Sequence, residues 1–312
     1  MAAVISRYDL TIDAVEPDVL EHFEKIIPHL RGHALWLLGE LGVGKTPLGR
    51  MLAMMFSRFH GGTGTFRSAS DFDFFRGVFF DKTCPALYDD GEIGGELIKK
   101  KKAFSDVGDQ ETILKERWTA AKFVQHQMRI VLDNQYDPAD EPPEVALEDF
   151  ISHTAFMKLV KPALGSIAAA DARAILKRAV FMVFTKEFIY YRFPTEKEVD
   201  VKRLKWPRDL LKDSCKHIIG NMKAGGPMPD DYEDRVAWES EWLKEAFRKR
   251  VCKIYEEVTE QNVEDDYEFM TEADMKSLVP PFSEILGGIE NKLVSLPLAS
   301  LLKIQALESP AL

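Results

Sequence analysis

Cysteine is scarce: Cys84, Cys215 and Cys252 are the only three in 312 residues. So few and so scattered, they exclude a disulfide framework and a thiolate zinc cluster, and they fit a reducing compartment. Long apolar runs are also missing. The longest, 179–184 and the Pro-interrupted 293–302, fall far short of the ~20 residues of a membrane span. The first residues, MAAVISRYDLTIDAVEPD, hold no signal-peptide apolar stretch. An intracellular protein, cytoplasmic or nuclear and without a membrane partner, is the expectation. Positive charge is in deficit, since 41 Lys and Arg against 51 Asp and Glu leave a net charge of −10. That global field repels polyanions, so any nucleic-acid contact has to come from a local basic surface. The seven histidines form no H-E-x-x-H pair, and no Ser or Cys stands in a nucleophile elbow.

The rest is ordinarily globular, with 46% hydrophobic, 29% charged and 11% aromatic residues. This excludes wholesale disorder and fibrous architecture and allows one large domain or two modest ones. Val19, Leu20, Phe23, Ile26 and Ile27 recur at helical spacing and predict a helix over 17–30. A short apolar strand is predicted at 34–38, then a Gly-rich turn, then a helix over 45–59. Further strands are predicted at 65–68, 85–88, 128–132 and 180–184. Strands alternating with helices imply an α/β fold with a mostly parallel five-stranded sheet. The polar, turn-rich stretch 137–143 marks a loop, and helices are predicted at 144–159 and 167–178. The aromatic-rich stretch 72–80 (FDFFRGVFF) reads as core. Beyond Pro194 no strand pattern is evident. Trp238, Trp242, Leu243, Ala246, Phe247, Val251, Ile254 and Tyr255 trace one helical stripe there. We therefore expect one domain over 1–194 and an α-helical C-terminal region over 195–312.

Gly39-Glu40-Leu41-Gly42-Val43-Gly44-Lys45-Thr46 matches G-x-x-x-x-G-K-[ST] in full, between a predicted strand and a predicted helix. The glycines let consecutive backbone N–H groups turn inward as an anion nest at a helix N-terminus. Lys45 is expected to reach the β- and γ-phosphates of ATP, and the Thr46 hydroxyl to bind Mg²⁺. Pro47 removes an N–H that could otherwise approach the α-phosphate, which a first helical turn tolerates. About forty residues later, Ala86-Leu87-Tyr88-Asp89-Asp90 ends a strand in two carboxylates. Asp89 suits holding hydrated Mg²⁺, and Asp90 suits orienting the attacking water. Asp-Asp-Gly is also good turn chemistry. The strand Arg129-Ile130-Val131-Leu132 runs into Asp133-Asn134, and the Asn134 amide suits contact with the γ-phosphate or the water, or a simple turn.

These three elements in this order resemble the superfamily-three helicases, an AAA+-related group of P-loop ATPases. The likeness is in particular to the ATPase half of the replication-initiator (Rep) proteins of small circular single-stranded DNA viruses and their cellular relatives. It covers about residues 30–185 and rests on GELGVGKT, ALYDD, RIVLDNQYDP and AILKRAVF at 174–181. The resemblance implies a P-loop NTPase fold with these as the Walker A, Walker B and sensor elements. It also implies Mg²⁺-dependent ATP hydrolysis coupled to translocation along, or unwinding of, single-stranded DNA or RNA in a homo-oligomeric ring. Arg178 is then the implied arginine finger, supplied in trans, with Arg173 and Lys177 as competitors. The plainer alternative is a helix-end arginine facing the C-terminal dipole. The family carries a basic segment between the acidic pair and the sensor. Here that interval holds Lys99-Lys100-Lys101-Lys102, then Lys115, Arg117, Trp118 and Lys122. Cations beside an aromatic suit a phosphate-tracking groove with base stacking, so Lys115, Arg117 and Lys122 are the expected contacts. The lysine run reads as a solvated helix face.

The chain departs from the Rep pattern in one respect. Only 38 residues precede the loop, and no His-hydrophobe-His motif with a catalytic Tyr is present, so no nuclease is expected. A GTPase is disfavoured because Asn291-Lys292-Leu293-Val294 lacks the Asp of N-K-x-D. Two rivals remain: a P-loop small-molecule kinase with arginines near 173–192 as a lid, and a nucleotide-gated interaction protein whose acidic helical tail binds a partner.

Overall fold

The computed structural model describes residues 3–5, 10–108, 112–114, 121–137, 149–205, 210–215 and 230–261. Strand β1 (Ala3–Ile5) is followed by helix α1 (Pro17–Ile26), which opens on a proline whose missing N–H would have had no helical partner. A 3₁₀ turn (Ile27–Arg31) extends it. Strand β2 (Ala34–Gly39) is buried at all 6 positions and leads through the glycine-rich loop into α2 (Lys45–Phe59). Then come β3 (Phe66–Ala69), β4 (Ala86–Asp89) and α3 (Ile98–Ser105). A short hairpin, β5 (Thr112–Leu114) with β6 (Ala121–Phe123), precedes β7 (Arg129–Leu132). After β8 (Phe150–Ile151) come α4 (His153–Leu164), α5 (Ala169–Arg178), β9 (Ala179–Phe184), β10 (Phe188–Arg192) and β11 (Val201–Lys205). The last described element is α6 (Tyr232–Gln261).

Among the described residues nine strands form one sheet in the order β1-β3-β4-β7-β2-β9-β10-β11-β8. The five central strands, β3 to β9 in that order, are all parallel, and they are the five predicted from the sequence. Four of them, β2, β4, β7 and β9, are buried at every position, and strands buried on both faces read as near-continuous apolar segments; β3 (FRSA) is buried only at Phe66 and Ala69. The expected count of five is corrected to nine, because β1, β10, β11 and β8 add antiparallel pairs on the two sides. Strand β11 lies in the stretch expected to hold only helices. Its alternation is real but turns a cation inward: Arg203 is 8% exposed, with its guanidinium 4.6 Å from the Phe188 ring centre. The predicted helix over 144–159 is also corrected. Phe150 and Ile151 pair with β11, and α4 begins only after Ser152, whose hydroxyl accepts the Ala155 N–H. Residues 144–148 lie outside the described residues.

The sheet crosses the expected boundary at 194. The chain divides into two compact units, Met1–Glu241 and Trp242–Leu312, and α6 spans the division. Within the first unit Glu239, 2% exposed, accepts from the Ile12 N–H and from Arg58, and Arg235 pairs with Asp13. Among the described residues no helix is long and apolar enough to cross a membrane.

Helix α2 packs on β7 at Gly49, where a Cβ would come 2.8 Å from Leu132. The aromatic stretch is core only in part: Phe72, Phe75 and Phe80 are buried, while Phe74 and Phe79 are exposed.

Three buried cations each reach the carbonyl end of a helix, whose last C=O groups have no partners within the helix. Arg129 donates to the carbonyls of Ala103 (3.0 Å) in α3 and Asp106 (2.8 Å) just beyond it. Lys101 donates to Leu164 (2.8 Å) at the end of α4, and Arg192 to Leu176 (3.2 Å) near the end of α5. The lysine run is therefore not the solvated face expected of it. Lys101 is 1% exposed, Lys100 pairs with Asp73 at 2.8 Å and Lys102 pairs with Asp171; only Lys99 of the four is exposed.

Candidate functional site

The glycine-rich loop leaves the carboxyl end of β2, where the strands on either side, β7 and β9, belong to later parts of the chain. That is the place in an open α/β sheet where a crevice forms. Gly39, Gly42 and Gly44 have φ of +118°, +81° and +90°, a region glycine enters without strain. At Gly39 there is no space either: a Cβ would sit 2.0 Å from the Phe184 carbonyl oxygen. The neighbouring Glu40 N–H donates to that same oxygen at 2.8 Å and fixes the loop to β9. Gly44 caps α2, and Pro47 stands in its first turn, where a lost N–H leaves no helical bond broken.

Lys45 folds back over the loop. Its ammonium donates to the carbonyls of Gly39 (2.9 Å) and Glu40 (2.5 Å), and the residue is 6% exposed. Burial lowers its pKa to about 8, against the pull of Asp133, Asp90, Glu40 and Asp89, in that order.

Asp89 ends β4 and is 7% exposed. One carboxylate oxygen accepts from the Thr46 hydroxyl at 3.4 Å, and the other meets the Arg50 guanidinium at 3.3 Å, one turn along α2. Burial raises its pKa, while Arg50 draws it back down. Asp90 is exposed and has φ of +57°, so the chain turns sharply between the two carboxylates. Asn134 is exposed as well, two residues beyond β7.

The sequence pattern points to Asn134, yet Asp133 is the side chain buried at this strand end, 3% exposed. Its carboxylate accepts from the backbone N–H groups of Ile93 (2.8 Å) and Gln135 (2.7 Å). Burial raises its pKa, and the backbone donors and Lys45 oppose that rise. A signal was available: β7, like β4 beside it, runs from apolar residues straight into an Asp.

Arg178 is the last residue of α5, and β9 starts at the next position. Ala179 at the start of β9 is level with Ala34, and Phe184 at its end is level with Gly39. Arg178 therefore lies one strand length, about 20 Å, from the loop of its own chain. Its guanidinium donates to the Ala174 carbonyl at 2.9 Å and stands 3.3 Å from the Asp106 carboxylate. With Arg173, Lys177 and Glu196 it lines a cleft of about 520 Å³. Arg173 and Lys177 are exposed, and Lys177 pairs with Glu196 at 3.5 Å. Of the three expected nucleic-acid contacts only Lys122 is placed. It is exposed on β6, with a backbone bridge to Phe79. Lys115 and Arg117 lie outside the described residues. Among the described residues no three His, Cys, Asp or Glu side chains gather as a metal cluster.

Compared with models of protein families the chain matches none, and no curated protein matches it in sequence.

Proposed function

We propose that the chain is a Mg²⁺-dependent P-loop ATPase, and that it couples hydrolysis to movement along single-stranded DNA or RNA as part of a homo-oligomeric ring. The observation that carries the reading is the loop 39–46, in which three left-handed glycines lead to a lysine held at the start of a helix. Backbone N–H groups at a helix N-terminus attract phosphate, and Lys45 has only to exchange two loop carbonyls for phosphate oxygens.

The residues present fit Mg²⁺. That ion keeps several waters and takes one or two carboxylates together with substrate phosphates, so it needs no all-protein cage. Thr46 and Asp89, already in contact, are the side chains that would hold it. When bound, Mg²⁺ neutralises charge on the phosphate oxygens. Asp90 and Asn134 are exposed at the ends of β4 and β7 and would orient the water. The water oxygen bonds to the γ-phosphorus in line as the bond to the bridging oxygen breaks, which yields ADP and phosphate. Arg178, a strand length from its own loop, would serve the loop of a neighbouring subunit. Lys122, with Lys115 and Arg117, would contact the strand.

The test is steady-state ATP hydrolysis by the wild type and Lys45→Ala, with and without single-stranded oligonucleotides. Turnover that requires Lys45 and rises with the oligonucleotide supports the motor. Lys45-dependent turnover indifferent to nucleic acid shifts the reading to a small-molecule kinase or another ATPase. Binding of ATP without turnover shifts it to a nucleotide-gated interaction protein.

A further inference from the structure

Asp133 stands where three pieces of chain meet. Its backbone N–H donates to the Leu37 carbonyl of β2 at 3.1 Å. Its two carboxylate oxygens divide between Ile93 and Gln135: Oδ2 accepts from the Ile93 N–H and Oδ1 from the Gln135 N–H. Ile93 belongs to the segment that leaves Asp89 and Asp90, and Gln135 closes the turn whose middle residue is Asn134. A second bond repeats the link, since Gln135 Oε1 accepts from the Gly94 N–H at 2.9 Å.

The segment so held has no slack. A Cβ on Gly94 would lie 2.2 Å from the Pro162 carbonyl oxygen, and one on Gly91 would lie 2.2 Å from that of Ser70. Burying a carboxylate is unfavourable unless its oxygens find donors. An apolar side chain would end β7 without that penalty but could not bind two loops at once.

We infer that Asp133 is a positioning residue, which holds the exposed Asp90 and Asn134 in one frame beside Lys45 and acts through them. The inference rests on the ATPase reading. Displacing a reacting group by about 1 Å can slow an enzyme on the order of 10²-fold. Losing the frame should therefore slow the chemistry and leave nucleotide affinity nearly intact.

The experiment measures kcat, nucleotide Kd and Tm for the wild type, Lys45→Ala, Asn134→Ala, Asp133→Asn and the Asp133→Asn/Asn134→Ala double variant. Asp133→Asn keeps the size of the side chain but turns an NH₂ toward one of the two backbone donors. We expect kcat to fall about 10- to 100-fold, Kd to change less than about 3-fold, and the double variant to lose clearly less than the product of the two single losses, because with Asn134 gone only the route through Asp90 is left to disturb. Additive losses, or a kcat within about 3-fold of wild type, overturn the inference. If Asp133→Asn lowers Tm by more than about 10 °C, Gln135→Ala carries the test, because it removes the Gly94 bond and leaves Asp133 in place. A loss of kcat in Gln135→Ala that is not additive with Asn134→Ala upholds the inference, and an unchanged kcat overturns it. Wild-type turnover that Lys45→Ala leaves intact overturns the ATPase reading instead, and it is seen before any Asp133 variant is measured.

Discussion

Arg129 in β7 donates to the backbone carbonyl of Asp106 at 2.8 Å, while the Asp106 carboxylate stands 3.3 Å from Arg178. One residue just past α3 is thus held from the core by one arginine and from the surface by another. Arg129 is fully buried and Arg178 is 29% exposed. The first bond belongs to folding, and the second sits at the side chain proposed to act on a neighbouring subunit.

Replacing Arg129 by Met should destabilise the chain by about 3–5 kcal/mol, because the carbonyls of Ala103, Asp106 and Val124 lose a buried charged donor together. Urea denaturation measures it, and a loss below about 1 kcal/mol would contradict the role given to Arg129.

Lys101 makes stability depend on alkaline pH. Burial lowers its pKa from 10.5 to about 8, against the pull of Glu96 and Asp133. Between these two values the unfolded chain binds the proton more readily than the folded one, so this group's contribution rises with pH and is lost as pH falls through about 8. Wild type should therefore gain stability relative to Lys101→Met as pH is raised from 8 toward 10.5, and denaturation series at several pH values should show the two curves diverging.

Gly39 and Gly42 separate strain from space. Both have positive φ, but a Cβ on Gly42 meets nothing within 4 Å, whereas one on Gly39 meets the Phe184 carbonyl at 2.0 Å. Gly42→Ala should cost about 1–2 kcal/mol from backbone strain alone. Gly39→Ala should cost clearly more and should displace the loop from β9. Chemical denaturation of the two variants side by side decides it, and equal losses would count against the close approach.

Arg178→Ala should bind nucleotide normally yet lose turnover by ~10³-fold. Mixing it with Lys45→Ala should restore part of the activity, since an intact loop in one subunit can then meet an intact arginine from the next. Constant specific activity on dilution, with no recovery on mixing, would rule out a shared site.

Most of the parallel centre of the sheet was legible because its strands are buried on both faces and so appear as apolar runs, as in ALWLLG and AVFMVF; β3, FRSA, has no such run. The loop 39–46 was legible for a different reason: its glycines answer to local backbone geometry, and Lys45 follows at a set spacing. Strand β11 was not, because VKRLK turns Arg203 inward under an aromatic ring, and a hydrophobic pattern cannot register a buried cation. Lys101 was misread among its neighbours because one residue of a charged run was chosen by the end of another helix.

The sequence by itself determined what short-range physics dictates: the helix and strand periods, the five central strands, and the loop with its lysine. Only the tertiary structure decided which polar groups face inward. Whether a carboxylate or a cation is buried depends on donors and acceptors brought by distant segments, as Ile93 is brought to Asp133 and Leu164 to Lys101.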